Sequence, residues 1–146
     1  MRQGICTFSL LLLLLIAIPL WPQEELVGMK LADLIGRFGA PKAVLAARGN
    51  EPWQDDVVFQ YAEGDFYVFK DRVWQVKLAS AYGISIGDPK QAAVLVMGNT
   101  AEDRGDYLLM PVSSNQSSGA SWPLMLRVNL DNAGKVNSIF IYRPDF

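Results

Sequence analysis

Residues 26–41 read LVGMKLADLIGRFGAP, and residues 84–100 read ISIGDPKQAAVLVMGNT. In the first stretch Leu31, Leu34, Ile35 and Phe38 recur at i, i+3, i+4 and i+7, which is one apolar face of a helix. The spacing predicts a helix over 29–38. Gly39 supplies the left-handed residue that closes a helix, and Pro41 forbids continuation. Gly36 inside the helix costs up to about 1 kcal/mol relative to Ala, which points to a close approach to a sheet. The second stretch repeats the plan: Gly87 and Gly98 stand eleven residues apart, as Gly28 and Gly39 do, at an offset of 59. Asp88 suits an N-cap with Pro89 at N1. Ala93, Val94 and Met97 renew the apolar stripe, with Lys90 where Leu31 stood.

Each helix precedes strand-like runs. Pro41 is placed to open a second short helix over 42–47, closed by Gly49, and a polar loop with Trp53 follows. Apolar and aromatic runs then predict strands over 57–61, 66–70 and 73–78, with turns at 62–65 and 71–72. With that register one face carries Val57, Phe59, Tyr61, Phe66, Val68, Val73, Gln75 and Lys77. The other carries Val58, Tyr67, Phe69, Trp74, Val76 and Leu78. The second set is apolar through the third strand and is assigned to the core. The first is assigned to the open face, and a one-residue slip would exchange the two labels. After the second helix, strands are predicted over 107–112, 122–130 and 136–142. SSNQSSGAS at 113–121 is a polar loop and Asp131 to Gly134 a turn. Leu124, Leu126, Val128 and Leu130 alternate with Met125, Arg127 and Asn129 as a half-buried strand requires. The expected fold is α+β: two tandem helix-plus-antiparallel-meander units, 23–82 and 83–146, sharing one sheet.

Residues 1–22, MRQGICTFSLLLLLLIAIPLWP, begin with the positive Arg2 and continue in an uncharged apolar run over 5–21. This is the form of a secretory signal peptide. An uncleaved membrane anchor through 5–21 is the rival reading. The run, with Thr7 and Ser9 inside it, falls short of the ~20 residues of a comfortable span, whereas the lack of a small-x-small pair near Pro22 and the prolines Pro19 and Pro22 speak for the anchor.

The chain of 146 residues carries a net charge of −2 and no histidine. It has no basic stripe, which argues against nucleic acid as a partner. Lack of histidine removes the commonest general base and metal ligand. Cys6, the single cysteine, precedes the leucine run, so the chain beyond residue 22 has neither thiol nor disulfide and is held by packing. Asp55-Asp56 and Glu102-Asp103 fall in expected loops and read as solvated edges rather than a catalytic dyad. No Gly-rich phosphate loop or EF-hand spacing occurs. No cofactor, metal or catalytic residue is expected, and an enzyme of some unrecognised type would need a polar cleft that these residues do not assemble.

The pattern Gly28-Met29 … Phe38-Gly39-Ala40-Pro41 before an antiparallel meander resembles the SmpA/OmlA type of small bacterial envelope protein, which serves in outer-membrane β-barrel assembly. Two such units in tandem resemble the β-lactamase-inhibitor-protein-like fold, in which helix–loop–helix pairs lie against one antiparallel sheet. The resemblance spans about 26–146. It implies a protein-binding sheet without catalysis; the segment at 1–22 places the chain in the periplasm or outside the cell, or tethers it to the membrane through 5–21.

The expected function is binding of an envelope protein through the open face of the sheet, with Phe59, Tyr61, Phe66, Gln75 and Lys77 as contacts and Trp53 and Trp122 beside loops at its rim. For Trp53 and Trp122 alike the alternative is a plug at the end of the sheet. The rival function is carriage of a small apolar ligand or lipid in a pocket between helices and sheet, lined by Leu34, Phe38, Trp74 and their counterparts in the second unit.

Overall fold

The computed structural model describes residues 23–48, 55–112 and 122–145. A 3₁₀ turn, Gln23–Leu26, leads into helix α1 (Leu31–Phe38) and strands β1 (Ala43–Arg48), β2 (Asp55–Gln60), β3 (Asp65–Phe69) and β4 (Arg72–Leu78). A small hairpin follows, β5 (Ser80–Ala81) and β6 (Ile84–Ser85). Helix α2 (Lys90–Met97), a 3₁₀ turn at Gly98–Thr100, and strands β7 (Glu102–Asp103), β8 (Tyr107–Val112), β9 (Leu124–Leu130) and β10 (Val136–Tyr142) complete the order. Eight strands form one antiparallel sheet in the order β1-β2-β3-β4-β10-β9-β8-β7. The chain is thus α+β, with β4 and β10 side by side at the centre, paired from Ile139↔Leu78 to Tyr142↔Gln75.

Both helices lie on one face. Leu34 of α1 and Ala93 and Met97 of α2 join a continuous core with Phe66, Val73, Val76, Leu126, Val128, Ile139 and Ile141. Leu34, Phe66, Val76, Leu126 and Ile139 are fully buried, each removing about 1.5–3 kcal/mol worth of apolar side chain from water.

α1 starts two residues later than its periodicity predicts. Residues before it are extended and hydrogen-bonded to the β3–β4 turn: the Gly28 N–H donates to Val73 O (2.7 Å), the Val73 N–H to Met29 O (2.9 Å) and the Leu31 N–H to Asp71 O (3.1 Å). The start of α2 is held in the same manner by the β9–β10 turn. There the Gly87 N–H donates to Val136 O, the Val136 N–H to Asp88 O and the Lys90 N–H to Gly134 O, at 2.8–2.9 Å. Gly28 and Gly87 both take φ +93°, a conformation that glycine reaches without a Cβ penalty.

Four local expectations are corrected. Where a second helix over 42–47 is expected, Ala43–Arg48 form strand β1: six residues are too few for a free-standing helix, and the edge of β2 offers a full ladder from Ala43↔Gln60 to Arg48↔Asp55. Gly36 makes no close approach to the sheet, since a Cβ built there meets nothing within 4 Å. Asp88 does not cap α2. Pro89 is the N-cap residue, and the Asp88 carboxylate accepts instead from the Ser85 N–H at 2.7 Å. Glu102 and Asp103 form the short edge strand β7 against β8 rather than a loop.

The largest correction concerns which face is which. The β3–β4 turn falls at Lys70 and Asp71, both at positive φ (47° and 67°), one residue earlier than expected. Phe69 therefore pairs with Arg72, and Val68 with Val73. A bulge then shifts the register, so that Tyr67 pairs with Gln75 and Phe66 with Val76. The extra residue inverts the alternation of β4 partway along it. Phe66, Val68 and Val73 consequently face the helices, together with Val76 and Leu78.

Candidate binding face

The helix-free face is read from the pairing register. One row runs Leu45, Val58, Tyr67, Gln75, Tyr142, Met125 and Pro111 across β1 to β8. The next runs Gln60, Asp65, Lys77, Phe140, Arg127 and Leu109. Of these, Tyr67, Gln75, Lys77, Phe140, Tyr142, Met125 and Arg127 are half-buried, and none belongs to the core under the helices. They make a surface of their own.

Rings bind this surface together. Tyr67 sits edge-on to Trp74 and to Phe140, with centroids 6.4 Å apart in each case. The three rings come from β3, β4 and β10, so they bridge the two halves of the chain. Val58, the cross-strand partner of Tyr67, is 5 % exposed although it points away from the helices. Such edge-to-face pairs contribute roughly 0.5–1.5 kcal/mol beyond area burial. Farther along, the Arg127 guanidinium stacks 4.1 Å from the Tyr107 ring centroid. Its Nε–H donates to Asn129 Oδ1 (2.8 Å), and Asn129 Nδ2 donates to Ser138 Oγ (2.9 Å). The hydrogen bonds hold the cation over the ring, a favourable cation–π placement.

Electrostatics follow from partial burial. Trp74 Nε1–H donates to Asp56 Oδ1 at 3.1 Å. Burial pushes the Asp56 carboxyl above its ordinary value, the Trp74 donor opposes that in part, and the Asp55 charge adds to it. Burial likewise raises the Tyr67 phenol, helped by the charges of Asp65 and Asp56. It raises Tyr142 against the opposing field of Arg127. These phenols stay protonated and can donate hydrogen bonds across the neutral range.

The expected contact residues divide. Gln75 and Lys77 lie on the helix-free face, flanking the Tyr67–Phe140 contact. Phe66 does not: it is fully buried under the helices. Tyr61 is buried in the same core, where its ring and that of Phe66 lie 5.6 Å apart and each packs on Phe38 at 5.4–5.6 Å. The Tyr61 hydroxyl donates to Gly39 O at 3.1 Å, tying down the end of α1. Phe59 pairs with Phe66 and packs against that core. Trp122 is partly buried and packs against the core. It lies under the Arg143 guanidinium, 4.3 Å from its ring centroid, and so close to Gly28 that a Cβ there would stand 2.9 Å from the indole. Trp53 lies outside the described residues, as do the apolar run at 5–21 and the polar loop at 113–121. The three residues expected to line a ligand pocket are not brought together: Leu34 and Phe38 are on the helix side, and Trp74 is on the other.

Tyr67, Trp74, Phe140, Tyr142, Tyr107 and Arg127 are the residues that sequence reasoning missed. The available signal was Val73-Trp-Gln-Val76, in which two core-type residues stand three apart inside a strand, as a bulge requires.

Among the described residues no group of His, Cys, Asp or Glu is placed to hold a metal ion. No helix among them is long and apolar enough to cross a membrane.

No protein-family model matches the chain, and no curated protein matches it. Among solved structures it is similar to an extracellular protein containing an SCP domain from Bacillus anthracis str. Ames, with a TM-score of 0.50 and 12 % sequence identity over 83 % of this chain. The match takes in 45 % of that protein, so this chain spans less than half of its length. At that identity the likeness concerns the fold, an α+β arrangement around one large antiparallel sheet.

Proposed function

We propose that the chain is a non-catalytic binding module exported to the bacterial cell envelope, which takes a partner protein on the helix-free face of its sheet. The observation that carries this reading is the contiguous ring cluster of Tyr67, Trp74 and Phe140. It is partly exposed and bordered by Gln75, Lys77 and Arg127. Aromatic residues and Arg around a partly desolvated centre are the composition of protein-recognition surfaces. Export is supported by the signal-like segment at 1–22 and fits the extracellular nature of the structural neighbour.

The reading includes a tandem origin for the fold: two copies of one helix-plus-meander unit meeting at β4 and β10, in the manner of the β-lactamase-inhibitor-protein-like and SmpA/OmlA-like proteins. It is supported by the matched hydrogen bonds that hold Gly28 and Gly87 to the last hairpin of their own halves.

The test is site-specific photocrosslinking in envelope fractions, with benzoylphenylalanine in place of Tyr67, of Phe140, or of Ala32 on α1. The expected result is one protein captured from both sheet positions and not from position 32. Capture from position 32 alone, or equally from all three, overturns the assignment.

A further inference from the structure

The helix-bearing side of the molecule carries an apolar surface that the core does not use. In α1 the outward positions are mixed, with Asp33 and Ala32 beside Ile35. In α2 no charged residue follows Lys90. Ala93 and Met97 face the core, and the outward positions include Val94 (38 % exposed), Leu95 (84 %) and Val96 (49 %). Ile86, four residues before the helix, is 49 % exposed as well. A solvent-facing helix surface normally carries its polar residues there, and a cluster of this kind marks an interaction site.

The point at which the apolar segment joins the fold suggests what covers it. Residues 5–21 are uncharged and apolar, and Pro22 alone separates them from Gln23. Gln23 Oε1 accepts from the Tyr82 N–H at 3.3 Å, and the Tyr82 hydroxyl donates to Glu24 Oε1 at 2.6 Å. Leu26 and Val27 then enter the core beneath the helices. Tyr82 is the tip of the β5–β6 hairpin, which passes through Ile86 into α2. Gln23 and Glu24, the first described residues after the apolar run, are therefore tied to the hairpin that leads into α2.

We propose that segment 5–21 stays in the bilayer and that Ile86, Val94, Leu95 and Val96 seat the domain on the lipid surface. The domain lies flat on its helices, as an interfacial apolar helix face does, and the ring-lined face of the sheet is turned away from the membrane. The seating does not depend on what that face binds. It shares with the functional reading only the delivery of the chain to a membrane.

The test uses the full chain with Cys6→Ser, reconstituted into vesicles of phosphatidylethanolamine and phosphatidylglycerol. One cysteine is introduced by Leu95→Cys, or by Lys77→Cys on the sheet, and labelled with an environment-sensitive fluorophore. The expected result is a blue-shifted label at position 95, quenched several-fold more by spin-labelled lipid than the label at position 77. A water-exposed label at position 95 overturns the proposal. So does a label there that is shielded in a dimer yet untouched by spin-labelled lipid, which assigns the patch to a second copy. A chain whose mass shows residues 1–22 removed on export to the membrane overturns it too, while leaving the photocrosslinking result free to stand.

Discussion

Val73 and Val76 lie three residues apart on β4 and are both buried on the helix side of the sheet, at 1 % and 0 % exposure. Regular alternation would place them on opposite faces. The bulge that reconciles them turns Trp74 and Gln75 to the other side, and with them the surface available to a partner.

The two faces therefore respond differently to truncation. Phe66→Ala is expected to cost about 3–5 kcal/mol of stability, as for other buried Phe truncations. Tyr67→Ala or Phe140→Ala on the open face is expected to cost roughly 1 kcal/mol from lost ring contacts while abolishing partner capture. Urea midpoints of the three variants, read beside the crosslinking yield, check the assignment. Comparable destabilisation by all three would mean that the open face is part of the folding core.

Gly28→Ala tests the hook before α1. The substitution meets a φ of +93° and an indole carbon 2.9 Å from the new methyl, a combination expected to cost about 1–3 kcal/mol. Gly36→Ala, where a Cβ has open space, is expected to stabilise by about 0.5–1 kcal/mol through helix propensity. Thermal melts of the pair should move in opposite directions.

Tyr61→Phe removes the hydroxyl that donates to Gly39 O and leaves the ring packed on Phe38 and Phe66. The expected loss is about 0.5–1.5 kcal/mol, with faster amide exchange at the end of α1. Unchanged exchange there would show that the hydrogen bond does not hold the helix end.

Asp56 sets a pH dependence. Its folded carboxyl lies above the ordinary 3.8 because of burial, opposed in part by the Trp74 N–H and reinforced by Asp55. The folded chain then binds that proton more tightly than the unfolded chain. Its stabilising contribution is complete below the unfolded value and is lost as pH rises through the folded one. Asp56→Asn keeps an acceptor for Trp74 and removes the titration. Its urea midpoint should decline less than that of the parent as pH rises above about 4, with unchanged Trp74 fluorescence. Parallel profiles for the two proteins would exclude a shifted Asp56.

The local patterns of the chain sufficed for much of the architecture. The predicted limits of β8 and β10 coincide with those in the fold, and the Leu124, Leu126, Val128, Leu130 alternation marks the buried side of β9. Both helices end at glycines that take positive φ, at Gly39 and Gly98. These features depend on neighbours a few residues away, where side-chain period and backbone sterics decide. Strand β1 and the identity of the open face were not legible in this way. Ala43 to Arg48 is helical by propensity, and only the edge of β2 makes it a strand. The rings at Tyr67, Trp74 and Phe140 belong to one surface because a bulge in β4 and the pairing of β4 with β10 bring them together. Register is a relation between strands, and one extra residue in a ladder inverts every side chain beyond it.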